Sequence, residues 1–152
     1  MNKVFIVHGR DHGMLNDVKT FLYRIDVEPI VLMDEANEGG TVIEKFERHA
    51  DVPFAIVLFS PDDEGRDASE PDKPLKRRPR QNAVIELGFF IGKLGRKGTA
   101  LMVDGRIDPD MVEYPSDVAG VIPIYYLPDS NWKLLLLREL KVAKIDHDGS
   151  KV

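Results

Sequence analysis

Cysteine is absent from this chain of 152 residues. Its absence excludes disulfides, thiol nucleophiles and cysteine-based zinc sites, and it fits a reducing cytoplasm. Long apolar runs are missing too: the longest leucine run, Leu134–Leu137, is far too short to span a bilayer. Positive charge does not dominate. Lys and Arg number 21 against 26 Asp and Glu, so the net charge is −5 and the basic surface of a nucleic-acid protein is not expected. The start, Met1-Asn2-Lys3-Val4, runs into a strand pattern without the shape of a signal peptide. What is present, 43% hydrophobic and 31% charged residues, describes a soluble globular domain with a real core. The expectation is a cytoplasmic protein with no nucleic-acid and no membrane partner.

Familiar motifs are also missing. Gly9-x-x-x-Gly13 is not the dinucleotide fingerprint, and no phosphate-binding P-loop pattern occurs. A receiver domain would want an acidic pair after the first strand and an Asp ending the third. The chain has His8-Gly9 and Ser60 there, which argues against phospho-relay. His8 and His12 share a loop but lack a third ligand at helical spacing, so no metal is expected. Ser60 has no positioned histidine or other base, which argues against a hydrolase triad.

Strand and helix patterns alternate along the chain. Lys3–Val7, Pro29–Met33, Phe54–Phe59, Thr99–Val103 and Val121–Tyr126 read as strands, the last edge-like because of Pro123. Met14–Ile25, about Val42–Ala50 after a Thr41 cap, and Asn131–Lys144 read as helices. Ser60–Pro79 is expected to be a long loop, acidic in its first half and basic in its second. The alternation predicts an α/β fold, a flavodoxin-like five-stranded parallel sheet of order 2-1-3-4-5 with helices on both faces. Ligands of such sheets bind beyond the carboxyl ends of the strands, where the order reverses between strands one and three.

One helix pattern, from Arg80 to Arg96, carries a carboxylate in an unusual place. With Ala83 at zero and about 100° per residue, Leu87, Phe90 and Leu94 fall within roughly 40° of it and form the core stripe. Glu86 falls at roughly 300°, on the shoulder of that stripe, one turn after Asn82. A carboxylate there is partly desolvated and prepared for chemistry if a pocket lies beside it. The bland alternative is a boundary glutamate paired with Lys93 or Arg80. Gly88, Gly92 and Gly95 line another side, each at a cost of about 1 kcal/mol against alanine, which predicts another backbone packed close along that line.

Four segments together resemble a known family. They are Val4–Asp11, Asp34–Glu47, Ala55–Gly65 and Arg80–Arg96, the last most specific over Asn82–Arg96. They are similar to the bacterial TIR-like "predicted nucleotide-binding" domains, TIR domains fused to STING-like or other cyclic-nucleotide sensors in anti-phage systems. The resemblance runs from about residue 3 to about residue 145. It implies cleavage of the nicotinamide–ribose bond of NAD, with NAD as substrate and no cofactor, by an enzyme that self-associates through TIR–TIR contacts. It also implies a cyclic-nucleotide-sensing domain in the same or a partner chain. Glu86 matches the catalytic glutamate. The block Asp34–Gly40 matches the loop that covers the substrate and contacts a neighbouring copy, and Gly39 and Gly40 allow the backbone angles a mobile cover needs. Topology then puts Phe5 (or Phe59), His8, Gly9 and Arg10 near the base and phosphates, Ser60 at the strand-three end and Asn82 near the ribose. Arg10 and Arg80 are the expected pyrophosphate partners. Residues 1–145 are expected to form the TIR-like domain and 146–152 a polar tail or the start of a linker. Two other functions stay open: a TIR module that only assembles, and a nucleoside deoxyribosyltransferase-like enzyme, whose fold also sets a glutamate at an N-glycosidic bond.

Overall fold

Phe54–Phe59 is buried at every residue, and its alternation sends Phe54, Ile56 and Leu58 to one face of a sheet and Ala55, Val57 and Phe59 to the other. The same division holds along the neighbouring strands. It is seen in a computed structural model that describes residues 2–34, 39–40, 42–115, 121–128 and 130–152. Five parallel strands form the sheet: β1 (Asn2–Val7), β2 (Val27–Ile30), β3 (Phe54–Phe59), β6 (Thr99–Asp104) and β7 (Ile124–Tyr126), in the order β2-β1-β3-β6-β7. This is the expected flavodoxin-like order. The numbers differ because a short antiparallel hairpin, β4 (Asp63–Gly65) and β5 (Lys76–Arg78), intervenes. Val4 faces Pro29 on one side and Phe54 on the other, and Ile56 faces Ala100.

Helices α1 (His12–Arg24) and α4 (Trp132–Val142) cover the face carrying Val4, Ile6 and Ile56. Helices α2 (Val42–His49) and α3 (Gln81–Leu94) lie on the face carrying Phe5, Val57 and Val103. Ala83, Leu87 and Phe90 are the buried residues of α3, as its periodicity predicts. Gly95, at φ 72°, ends that helix, a backbone angle that glycine adopts without strain.

The structure corrects some expectations. Ser60–Pro79 is not an open loop throughout. Its acidic start and basic end pair as β4 and β5, with Asp63 opposite Arg78 and Glu64 opposite Arg77. The second strand occupies Val27–Ile30, and Leu32–Asp34 form a short 3₁₀ turn, because pairing with Asn2–Phe5 sets the strand's extent. The first helix begins two residues early, at His12, because Asp11 caps it by accepting from the Met14 N–H at 3.0 Å. The fifth strand shortens to Ile124–Tyr126, after Pro123. Among the described residues the glycine line of α3 has no backbone against it. A Cβ built on Gly88, Gly92 or Gly95 would meet nothing within 4 Å. Thr41, the expected cap of α2, lies outside the described residues.

The last residues are not free of the body. The Asp148 N–H donates to the Ile25 carbonyl at 2.8 Å, and Lys151 pairs with Asp26 at 2.8 Å. Among the described residues no helix is long and apolar enough to cross a membrane.

Candidate active site

All five strands of the sheet point their carboxyl ends to one edge, and β1 and β3 lie side by side there. The segments leaving them, residues 8–11 and 60–63, are stitched together. Ser60, 3% exposed, donates its hydroxyl to the Asp62 carboxylate at 3.0 Å from both oxygens. Asp62 Oδ2 also accepts from the backbone N–H of Arg10 at 2.9 Å. Gly9 is pressed against this pair: a Cβ there would sit 2.0 Å from Asp62 Oδ2 and 2.6 Å from Ser60 Oγ. The Arg10 guanidinium pairs with Asp63 at 2.6 Å. On the far side of the loop, Arg106 bridges Asp11 at 2.5 Å and Asp104 at 2.9 Å. His8 Nδ1 stands 2.8 Å from the Gly9 carbonyl; a carbonyl only accepts, so that nitrogen carries the proton.

Glu86 sits in the second turn of α3, whose first turn lies at this same edge. Its side of the helix faces α2. One turn further on, Phe89 packs edge-on to Phe46 of α2, with ring centroids 5.0 Å apart. Beyond it Lys93 donates to the Ala50 carbonyl at 2.9 Å, just past the C-terminus of α2. Helical spacing therefore turns Glu86 toward the N-terminal half of α2. It is half-buried, and among the described residues it has no hydrogen bond or ion pair. Burial pushes its carboxyl group up to about 7, and the nearby positive charge of Arg80 only partly opposes that. Among the described residues no salt bridge joins Glu86 to Lys93, whose ammonium bonds the Ala50 carbonyl, or to Arg80, which acts at longer range.

The remaining predicted residues divide. His8, Gly9 and Ser60 come together at the β1–β3 crevice, and Asn82 is exposed on the same side of α3 as Glu86. Arg80, partly exposed, precedes the helix as its N-cap without a side-chain cap bond. One expectation needs correction. Phe5 is 1% exposed and fixed among Phe46 and Phe90, so its ring is core and is closed to a base; Phe59 is likewise buried, stacked on Tyr114. Arg10 is exposed at the same crevice and pairs with Asp63 through one guanidinium nitrogen. The side chain of Asp34 and most of the block after it lie outside the described residues; Gly39 is described and has φ 78°, the left-handed angle expected of it.

Sequence reasoning missed the two clamps of the β1–α1 loop, Asp62 with Asp63 and Arg106 with Asp104. They read only as loop charges, since nothing in the spacing pairs position 10 with 62 or 11 with 106. It also missed a cleft of about 1170 Å³ on the opposite side of α3, lined by the hairpin, by Gln81, Val84 and Ile85, and by Glu113 and Tyr114. Glu86 is not part of its lining.

Comparison with known proteins agrees with this fold. A family model described as CAP12/Pycsar effector protein, TIR domain, matches residues 3–127. The uncharacterized protein YuaY of Escherichia coli (strain K12) is 43% identical over 150 residues, which is 98% of this chain and 48% of YuaY. Protein tirC of Dictyostelium discoideum is 37% identical over 131 residues, 84% of this chain and 65% of tirC. The Pycsar effector protein PaPycTIR of Pseudomonas aeruginosa is 38% identical over 85 residues, 55% of this chain and 25% of that protein. The match thus spans about half of YuaY and a quarter of PaPycTIR.

Proposed function

We propose that this chain, which belongs to the family of CAP12/Pycsar effector TIR domains, cleaves the bond between nicotinamide and ribose in NAD. The observation that carries the reading is Glu86: a half-buried carboxylate, unpartnered among the described residues, at the ligand-binding edge of the sheet. Nicotinamide in NAD is a cationic ring and leaves as a neutral molecule, so no general acid is required. As the C–N bond breaks, positive charge develops on the ribose, as in glycoside cleavage. The Glu86 carboxylate stabilises that charge or holds the ribose hydroxyls. Water then adds to the sugar carbon and releases a proton, giving ADP-ribose; attack by the substrate's own base gives the cyclic form instead.

Further parts of the proposal rest on the family. Activity is gated by self-association of TIR domains, in a cytoplasmic protein acting in antiviral defence. Residues 1–145 form the catalytic domain, and residues 146–152 lead toward a cyclic-nucleotide-sensing domain in the same or a partner chain. The test is nicotinamide release from NAD at low and high protein concentration, for this chain and for Glu86→Gln. Release that rises more steeply than concentration and is lost in the variant is the expected result. If no release occurs even with copies held together on a scaffold, the chain is an interaction module. Release from nucleosides but not from NAD would instead indicate deoxyribosyltransferase-like chemistry.

A further inference from the structure

The structure assigns Asp62 a positioning role: its carboxylate holds the His8–Asp11 loop in the form that receives substrate. The assignment rests on the proposed NAD reading for its activity readout, but not for its structural one. Three contacts converge on this one carboxylate. The buried Ser60 hydroxyl donates to it from the end of β3. The Arg10 N–H donates to it from the loop. The Gly9 backbone lies so close that even a methyl group would collide with Oδ2. Asp62 therefore ties together the two strand ends that flank the switch point of the sheet, where ligands of such folds bind.

The geometry makes the carboxylate hard to replace by chance contacts. Ser60 is 3% exposed, so without Asp62 its hydroxyl loses the carboxylate whose two oxygens both lie 3.0 Å from it. The loop would retain Asp63–Arg10, an exposed ion pair, and the Arg106–Asp11 contact at its other end. Exposed pairs hold a backbone poorly. Removing Asp62 thus frees Gly9 and Arg10 while leaving α1, capped by Asp11, in place. The loss falls on substrate positioning and leaves the carboxylate chemistry of Glu86 intact.

The test uses the whole chain. Asp62→Ala is expected to raise KM for NAD about tenfold, the factor a lost hydrogen bond to a charged group carries, with kcat within threefold of the parent. Asp62→Asn keeps one acceptor for the Arg10 N–H and restores KM to within about threefold. Gly9→Ala, whose methyl group would push the carboxylate away, is expected to match Asp62→Ala, and the double variant to be no worse than either. Amide hydrogen exchange supplies the readout that needs no turnover: Asp62→Ala speeds exchange at Arg10 and leaves β3 unchanged. Unchanged KM in an active Asp62→Ala enzyme overturns the assignment, as does unaltered exchange at Arg10. If the parent chain releases no nicotinamide, the NAD reading fails and hydrogen exchange alone decides the clamp.

Discussion

The two sides of helix α3 differ in the opposite sense from what cavity size alone would suggest. The side facing α2 touches it: Phe89 meets Phe46, and Lys93 lies 5.8 Å from the Phe89 ring centroid while bonding Ala50. On that side Glu86 is left without a partner among the described residues. The other side borders the cleft of about 1170 Å³, where Arg78 pairs with Glu113 at 2.9 Å, Asp63 with Arg10, and Glu64 is exposed to solvent. Its helix surface is open, with Ile85 70% exposed and no atoms within Cβ reach of Gly88 or Gly92. Volume records where elements fail to meet. A half-buried charge without a partner is costly unless something compensates it, which is why the proposed site is read on the Glu86 side.

The largest effect expected is on catalysis, and it should be confined to one side. Glu86→Gln is expected to lower nicotinamide release at least about 100-fold, the scale of losing one group aimed at developing charge. Ile85→Ala, across the helix, is expected to stay within about twofold when both are assayed at the same state of assembly. Comparable losses from the two substitutions would break the contrast between the sides.

A smaller effect should appear with pH. Only the ionised carboxylate can stabilise a cationic sugar, and burial raises Glu86 to about 7. So kcat/KM is expected to fall about tenfold per pH unit below about 7 and to level off above it. A profile that stays flat down to pH 5 would mean that another group, or an already paired Glu86, carries the reaction.

Smaller again is a stability effect with a determined sign. Glu86 is raised in the folded state from an ordinary 4.5 to about 7, so the native chain binds its proton more tightly than the unfolded chain does. Above about 7 the native state carries the full cost of a desolvated charge; the cost fades as pH falls through 7 and is gone below about 4.5, where both states are protonated. Glu86→Gln removes that cost. It is expected to stabilise the chain at pH 8 by roughly 2 kcal/mol, allowing for solvent screening, and by little at pH 4. Thermal melting of both proteins across this range measures it, and a variant less stable at pH 8 would show that Glu86 has a structural partner.

Much of this contrast was legible in the sequence. The strand order and the core stripe of α3 follow from alternation and helical spacing, which local residue types carry. Glu86 stood out for the same reason, since its angle relative to Ala83, Leu87 and Phe90 is fixed by the helix itself. The β1–α1 loop was legible only as a place. That Arg10 would be held by Asp63, and Asp11 by Arg106, depends on segments about 50 and 95 residues away along the chain. No local pattern encodes such a meeting. Phe5 was misplaced for a related reason: alternation put it on one face of β1 but could not tell whether a ligand or Phe46 and Phe90 would cover that face. The hairpin was hidden because its strands are three residues each and separated by a segment containing Pro71 and Pro74.

The smallest prediction concerns the glycine line, where sequence and structure disagree. Three glycines along one helix line imply a close neighbour, but among the described residues none lies within Cβ reach of Gly88 or Gly92. Both lie inside α3 without the left-handed backbone that Gly95 has, so alanine fits there with no strain. Gly88→Ala is expected to stabilise the chain by about 0.5–1 kcal/mol, the propensity difference between the two residues, because nothing touches the added methyl group. Melting at low protein concentration isolates that gain. If the variant melts higher but releases less nicotinamide at high concentration, the open line is in use between copies, and the cleft side of α3 is not idle after all. If melting rises and release is unchanged, the glycines serve neither packing nor assembly, and the functional weight of the helix rests on the side that holds Glu86.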